Sequence, residues 1–374
     1  MFSTSSSWAT LRIYICRWVP GHSEQVWVQE SVFQAILTLD GLRHFTFHNT
    51  TNSRLHLPLS SLPPLHSLSL TGAYDELPAI EFFNDVAELV SKSPTLSYLK
   101  IFGGLCRGKP MMAAQSVSYL LSRSTDPQSV LSLRSLHISD ILFRLDHLTL
   151  PHLRNLRSFT LEYSGHPFST NTSSFSSTES LPRLQEIQNT HPELLKWGST
   201  RTEIWEAFKR EGIWLSEIKT NHVCLAFLVY LESYGTLEKL ELCASNFQEE
   251  ESSNIAGSRF FNRSIMGHTK SLRHLSVRAP YEGRWSYEPL SSAERIVHFK
   301  NLECLEVGVN PGELRPSAKS DEPRYASNKG DTKDDILVCA SPLFFFVQLI
   351  KFAAEEPVGL RDTSPPVSGD CPNL

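Results

Sequence analysis

A chain of 374 residues is long for one compact core and points either to two domains or to an extended array of repeats. With 40% hydrophobic and 20% charged residues, the composition is that of a soluble folded protein. A net charge of −5 leaves no basic footprint and argues against nucleic acid as the main partner.

In chain order, the opening stretch MFSTSSSWATLRIYICRW has Arg12 and Arg17 inside its apolar run, so it lacks the unbroken core of a signal peptide. Short runs of the form L-x-x-L-x-[LIVF] then recur: LRHFTF at Leu42, LHSLSL at Leu65, LSYLKI at Leu96, LRSLHI at Leu133 and LRSFTL at Leu156. LEKLEL at Leu237, LRHLSV at Leu272 and LECLEV at Leu302 continue the series. TLRIYI at Thr10, LQEIQN at Leu184 and LSEIKT at Leu215 are degenerate copies. Three apolar positions match roughly one window in sixteen by composition alone, so the spacing must carry the argument. Successive copies start 22 to 37 residues apart, about 29 on average, which is the interval of a solenoid.

Helical stretches fill the intervals. AIEFFNDVAELVSKSP places Ile80, Phe83, Val86, Ala87 and Val90 on one face, and Pro94 closes it just before the copy at Leu96. MMAAQSVSYLLSR, RTEIWEAFKREG, HVCLAFLVYLESYG, SRFFNRSIMGHTK and SSAERIVHF occupy the same place before later copies, and the three shortest intervals leave less room for a helix. Each strand is too short to bury its face alone and is backed by a helix. Stacking therefore predicts an α/β solenoid of about 10–11 irregular repeats, a horseshoe with a parallel β-sheet on the concave side and helices on the convex side. The first, fourth and sixth positions of each copy point into the core, while the third and fifth face outward.

The array occupies residues 1–310, interrupted by a Ser/Thr-rich loop at 164–180. Residues 311–335 form a charged insertion expected to be disordered, 336–356 an apolar helix that closes the array, and 357–374 a disordered tail. The uncharged run ILVCASPLFFFVQLI at 336–350 falls short of the about 20 apolar residues that a membrane span needs.

The L-x-x-L-x-L copies with helix-length spacers resemble the leucine-rich repeats of the ribonuclease-inhibitor-like class. SLRHLSVRAPYEGRWSYEPLSSAERIVHFKNLECLEVGVNPGEL, the charged insertion after it and SPLFFFVQLIKFAAEEP are similar to a fungal family of such repeats, many with an F-box in front. The resemblance implies a relative of the substrate receptors of ubiquitin ligases, with Skp1 and cullin components as partners. The chain departs from the pattern in two ways. The asparagine expected eight residues after the first leucine is present only as Asn310 among the clear copies, so no regular asparagine ladder is expected. Residues 1–40 hold a strand-like run in place of an L-P-x-E-I helix start, so no F-box is visible.

Motifs of chemistry are sparse. Gly103-x-x-x-x-Gly108-Lys109 fits a phosphate-binding loop between a strand and a helix, the basis of an alternative reading as a nucleotide-binding enzyme. Pro110 stands where a Ser or Thr should supply the Mg²⁺ ligand, and strand–loop–helix is what every repeat provides, so the alternative is set aside. The seven cysteines are scattered without a C-x-x-C pair and read as reduced thiols, placing the chain inside the cell, in cytoplasm or nucleus. The sequons at Asn49, Asn171 and Asn262 then read as chance. No zinc spacing and no calcium loop occurs, and no cofactor is expected.

What remains is the concave face. Its outward positions are His44, Thr46, Ser67, Ser69, Tyr98, Lys100, Ser135, His137, Ser158 and Thr160, continued by Lys239, Glu241, His274, Ser276, Cys304 and Glu306. They are polar, mixed in sign and poor in aromatic anchors, as suits a protein partner of unknown identity. The function expected is non-enzymatic protein binding, with a purely structural relic as the remaining alternative.

Overall fold

The computed structural model describes residues 10–15, 34–39, 41–49, 58–72, 78–102, 117–122, 130–139, 141, 143–162, 201–243, 250–278, 283–285 and 296–307. The phosphate-loop-like segment 103–109, the loop 164–180 and the three expected regions at 311–335, 336–356 and 357–374 lie outside them.

The fold is α/β, built among the described residues on one ten-stranded sheet whose order in space is its order in sequence. The strands are β1 (Thr10–Ile15), β2 (His44–Asn49), β3 (Ser67–Gly72), β4 (Tyr98–Phe102) and β5 (Ser135–Ser139), followed by β6 (Ser158–Glu162), β7 (Glu217–Thr220), β8 (Lys239–Cys243), β9 (His274–Arg278) and β10 (Cys304–Val307). Every pairing is parallel. Between strands run α1 (Pro78–Ser91), α2 (Val117–Ser122), α3 (Leu150–Leu153), α4 (Arg201–Arg210), α5 (Leu225–Leu231) and α6 (Glu250–Arg259).

The repeat pattern sets the core. The first-position residues Leu42, Leu65, Leu96, Leu133, Leu156, Leu215, Leu237 and Leu272 are buried, as are the fourth-position residues from Phe45 and Leu68 through to Leu240 and Leu275. They join helix residues such as Phe83, Val86, Val90, Leu120, Trp205 and Leu228 in a single cluster, so the helices back one face of the sheet and leave the other open. At β10 the burial thins: Leu302, Leu305 and Val307 are only partly buried.

A backbone device repeats with the strands. The second-position carbonyl of each copy accepts from the second and third N–H groups of the next. Arg43 takes His66 and Ser67 at 2.8 and 3.1 Å, Arg157 takes Ser216 and Glu217 at 2.8 and 2.9 Å, and Arg273 takes Glu303 and Cys304 at 2.7 and 3.0 Å. These shared bonds pin the register before each strand starts, so equivalent positions lie side by side across the sheet.

Most helices follow the available length, the exception being the six-residue α2 in the long interval between Leu96 and Leu133. The short intervals hold a three-residue 3-10 turn at Leu59–Ser61, the four-residue α3 and the seven-residue α5, whereas α1 has 14 residues and α4 and α6 have 10 each. Glu203 in the first turn of α4 and Lys209 and Arg210 in its last complement the helix dipole. Gly212, at φ 66°, then ends the helix: Ile213 N–H reaches the Phe208 carbonyl at 2.9 Å and Gly212 N–H the Lys209 carbonyl at 3.3 Å.

Three expectations need correction. The first strand pairs Thr10 with His44, a third-position residue, so Thr10 holds the third position of its copy and not the first, as TLRIYI had it. The copy at Leu184 takes no place between its neighbours, because β6 pairs directly with β7, Ser158 opposite Glu217. The last core position of that copy is Asn189, which has no apolar side chain to bury, and residue 184 lies outside the described residues. At this junction Phe159 meets Trp205 at 5.8 Å and Phe208 at 5.1 Å between ring centres, and Trp205 meets Phe227 at 4.8 Å, so aromatic rings fill the interval. Finally, helix before β9 starts at Glu250, ahead of SRFFNRSIMGHTK, and passes into a π-helical stretch at Phe260–Ser264.

Polar side chains from the helical side accept the buried N–H groups at the start of several copies. Leu65 N–H donates to Ser93 Oγ at 3.0 Å, Leu215 N–H to the Tyr230 hydroxyl at 3.1 Å and Leu237 N–H to His268 Nδ1 at 3.2 Å. Leu131 N–H donates likewise to His152 Nδ1 at 2.9 Å, two residues ahead of its copy. Each acceptor meets a donor that burial would otherwise leave unpaired.

Candidate functional site

The open face of the sheet is ordered in rows by the in-register pairing. Third positions run His44, Ser67, Tyr98, Ser135, Ser158, Glu217, Lys239, His274 and Cys304, each opposite the next. Fifth positions run Thr46, Ser69, Lys100, His137, Thr160, Lys219, Glu241, Ser276 and Glu306. The residues singled out in the sequence therefore share one face and form two lines across it. His44, His137 and His274 sit on β2, β5 and β9 and do not meet.

Ser69, Thr160 and Ser276 were expected to face solvent and instead are buried, at 8%, 8% and 5% exposure. Strands lie only about 4.8 Å apart, so longer neighbours close over a short side chain. Lys100 stands beside Ser69, His137 and Lys219 flank Thr160, and Glu241 and Glu306 flank Ser276. Ser276 donates its hydroxyl to Glu306 Oε2 at 2.8 Å.

Around β4–β8 the face holds a groove of about 300 Å³ whose floor includes Ser139, Ser158 and Thr160. On its β6–β8 side the charges are linked. Lys219 Nζ lies 3.1 Å from Glu162 and 3.8 Å from Glu241, and Lys239 Nζ lies 2.8 Å from Glu241. Burial alone would raise the Glu241 carboxyl, but the hydrogen bond from Lys239 and the charges of Lys239 and Lys219 hold it below its ordinary value. That same bond raises the Lys239 amine. On the β4–β5 side stand Lys100, His137 and Phe102, the last 36% exposed. The His137 ring packs 5.2 Å from Tyr98, and its Nε2 lies 2.9 Å from Ser135 Oγ. Burial, and next the charge of Lys100, lower the His137 imidazole below its ordinary value, so it is neutral near pH 7. A Ser–His contact by itself is not a hydrolytic site: among the described residues no carboxylate hydrogen-bonds His137 to orient it.

Farther along, Glu306 accepts from Ser276 and pairs with Arg278 at 3.4 Å, and these contacts hold its carboxyl below the ordinary value. Cys304, Cys243 and Cys224 are free thiols. Among the described residues no group of three or more His, Cys, Asp or Glu is placed to hold a metal ion. None of the described helices is long and apolar enough to cross a membrane.

Two further sets of residues on this open face lie outside the positions named from the sequence. Glu217 and Lys219 belong to the copy LSEIKT, marked degenerate because Thr220 fills its sixth position. Thr220 is nonetheless buried, its hydroxyl accepting from His222 N–H at 3.2 Å, and the strand keeps register. Phe102, Ser139, Glu162 and Arg278 occupy the seventh position, two residues beyond the fifth and so on the same face. Extending the period-two alternation by one step would have found them.

Comparison with protein-family models and with curated proteins finds no match to this chain.

Proposed function

We propose that this chain is a non-enzymatic interaction scaffold of the leucine-rich-repeat type, a horseshoe solenoid that binds a protein partner on its concave face. The observation that carries this reading is the parallel sheet advancing strand by strand in one register, with helices on one side and a polar, grooved face on the other. A stack of this kind offers an extended surface made of many short strands and suits a macromolecule better than a small substrate. The resemblance to fungal repeats of F-box proteins supports a finer reading, a substrate-receptor relative of ubiquitin-ligase adaptors working in cytoplasm or nucleus.

The test is recovery of partners from native cells with the tagged full chain, measured by quantitative mass spectrometry beside Ser158→Trp, which fills the groove floor. A protein held by the native chain and lost with Ser158→Trp is the expected result. If Skp1 and cullin components accompany it, the receptor reading stands; a client without them marks a free-standing scaffold. Nothing above background, or partners indifferent to Ser158→Trp, would overturn binding at this face.

A further inference from the structure

Resting on that reading, we propose that the groove takes an extended segment of a partner protein, laid diagonally across the strands, with an acidic and a basic side chain four residues apart. The reason lies in which charges of the groove are already met. Glu162, Lys219, Glu241 and Lys239 neutralise one another in a chain of ion pairs. Lys100 and Glu217 make no close ion pair among the described residues, although both line the groove; Glu217 stands opposite Lys239, whose amine is hydrogen-bonded to Glu241 instead.

These two charges stand on β4 and β7, with β5 and β6 between them. Lys219, not Glu217, stands in the row of Lys100, so three strand spacings and a two-residue offset along the strands put Lys100 and Glu217 roughly 16 Å apart on a diagonal of the sheet. The surface between carries the neutral His137 beside Lys100 and the short, uncharged Ser158 and Thr160, none of which bears a charge to bridge that span. A single small ion cannot answer both charges. A nucleic acid would meet Lys100 but be repelled by Glu217. An extended polypeptide rises about 3.3 Å per residue with alternate side chains on one side, so residues four apart lie roughly 13 Å apart and face the same way. Laid on that diagonal, such a segment sets a carboxylate near Lys100 and a cation near Glu217, the long side chains of both partners making up the remaining few ångströms. Phe102, two residues beyond Lys100 on the same face, offers apolar contact at the acidic end.

The test uses the full chain and labelled nine-residue Ser/Thr peptides, with binding read by fluorescence anisotropy at low salt. One peptide carries Glu at its third and Arg at its seventh position; the others carry two glutamates, two arginines, or Glu and Arg only two residues apart. The native chain should favour the four-apart acid–base peptide by about fivefold over each of the others. Lys100→Glu makes both ends acidic and should move the preference to the two-arginine peptide. Glu217→Lys should move it to the two-glutamate peptide. Lys100→Gln should flatten the preference if either reversal fails to fold. Equal binding of all peptides, no binding, or a ranking unchanged by the reversals would overturn the proposal. A native partner lost with Ser158→Trp but kept by both reversals would leave binding at the open face standing and remove only this assignment of charge.

Discussion

His268 shows how one side chain can bind two repeats together. It is fully buried, its Nδ1 accepts from Leu237 N–H at 3.2 Å, and its Nε2 lies 3.0 Å from the Leu231 carbonyl. Both contacts are served by the neutral ring protonated on Nε2. Burial lowers its pKa from 6.5 to about 4, against the opposing pull of the Leu231 carbonyl. The unfolded chain takes up this proton near 6.5 while the folded chain refuses it. The stabilising contribution is therefore complete above about pH 6.5 and lost as pH falls towards 4, on the order of 2 kcal/mol by about pH 5. Urea midpoints at about pH 7.5 and about pH 5 should differ less for His268→Gln than for the native chain. Equal differences would mean the ring is not held neutral. His152, also lowered by burial, acts in the same direction, which is why the comparison must be made between variants.

Between elements, α6 closely approaches the 3-10 turn at Gly283–Trp285. A Cβ on Gly257 would stand 2.9 Å from the Arg284 carbonyl carbon, which is backbone and cannot swing aside. Trp285 is locked on the same side by its Nε1–H to Ser253 Oγ at 3.1 Å and by the Phe260 ring at 5.5 Å. Gly257→Ala should therefore destabilise the fold by about 1–3 kcal/mol despite the higher helix propensity of alanine, read as a lower urea midpoint. A gain in stability would show that the turn is free to move. A second tie joins α5 to the helical segment after it. Glu232 pairs with Arg259 at 2.8 Å and Arg263 at 3.0 Å and accepts from Ser264 at 3.0 Å. Helix and π-helical stretch are thus fixed as one layer over β8 and β9, and the open face inherits their rigidity.

Across the whole molecule each strand leans on its sequence neighbours, so stability passes from repeat to repeat. Among the described residues the two end strands have one partner each, and β10 has an only partly buried core side. Amide exchange followed by mass spectrometry should therefore be slowest in β5–β8, around the Phe159–Trp205 aromatic cluster, and fastest in β1 and β10. Uniform protection from β1 to β10 would contradict a stack held by nearest neighbours. The groove lies on the strands expected to be most protected, so a binding surface there is preorganised before any partner arrives.

By itself the sequence determined which residues enter the core, because period-two alternation in a short strand decides the face of each side chain wherever the pairing falls. Leu68, Leu136 and Leu275 were legible for that reason, and so was the sharing of one face by Lys100, Glu241 and His274. Which strands became neighbours was decided only in the tertiary structure. A copy at Leu184 reads much like one at Leu215, yet β6 closes directly on β7, since register is set by carbonyls and aromatic rings brought from distant segments. That closure is what places Glu217 and Lys219 across the serine floor from Lys100 and makes a groove of charges far apart in the chain. Side-chain direction is a local property of the backbone, whereas adjacency in a sheet is settled by packing across the whole chain.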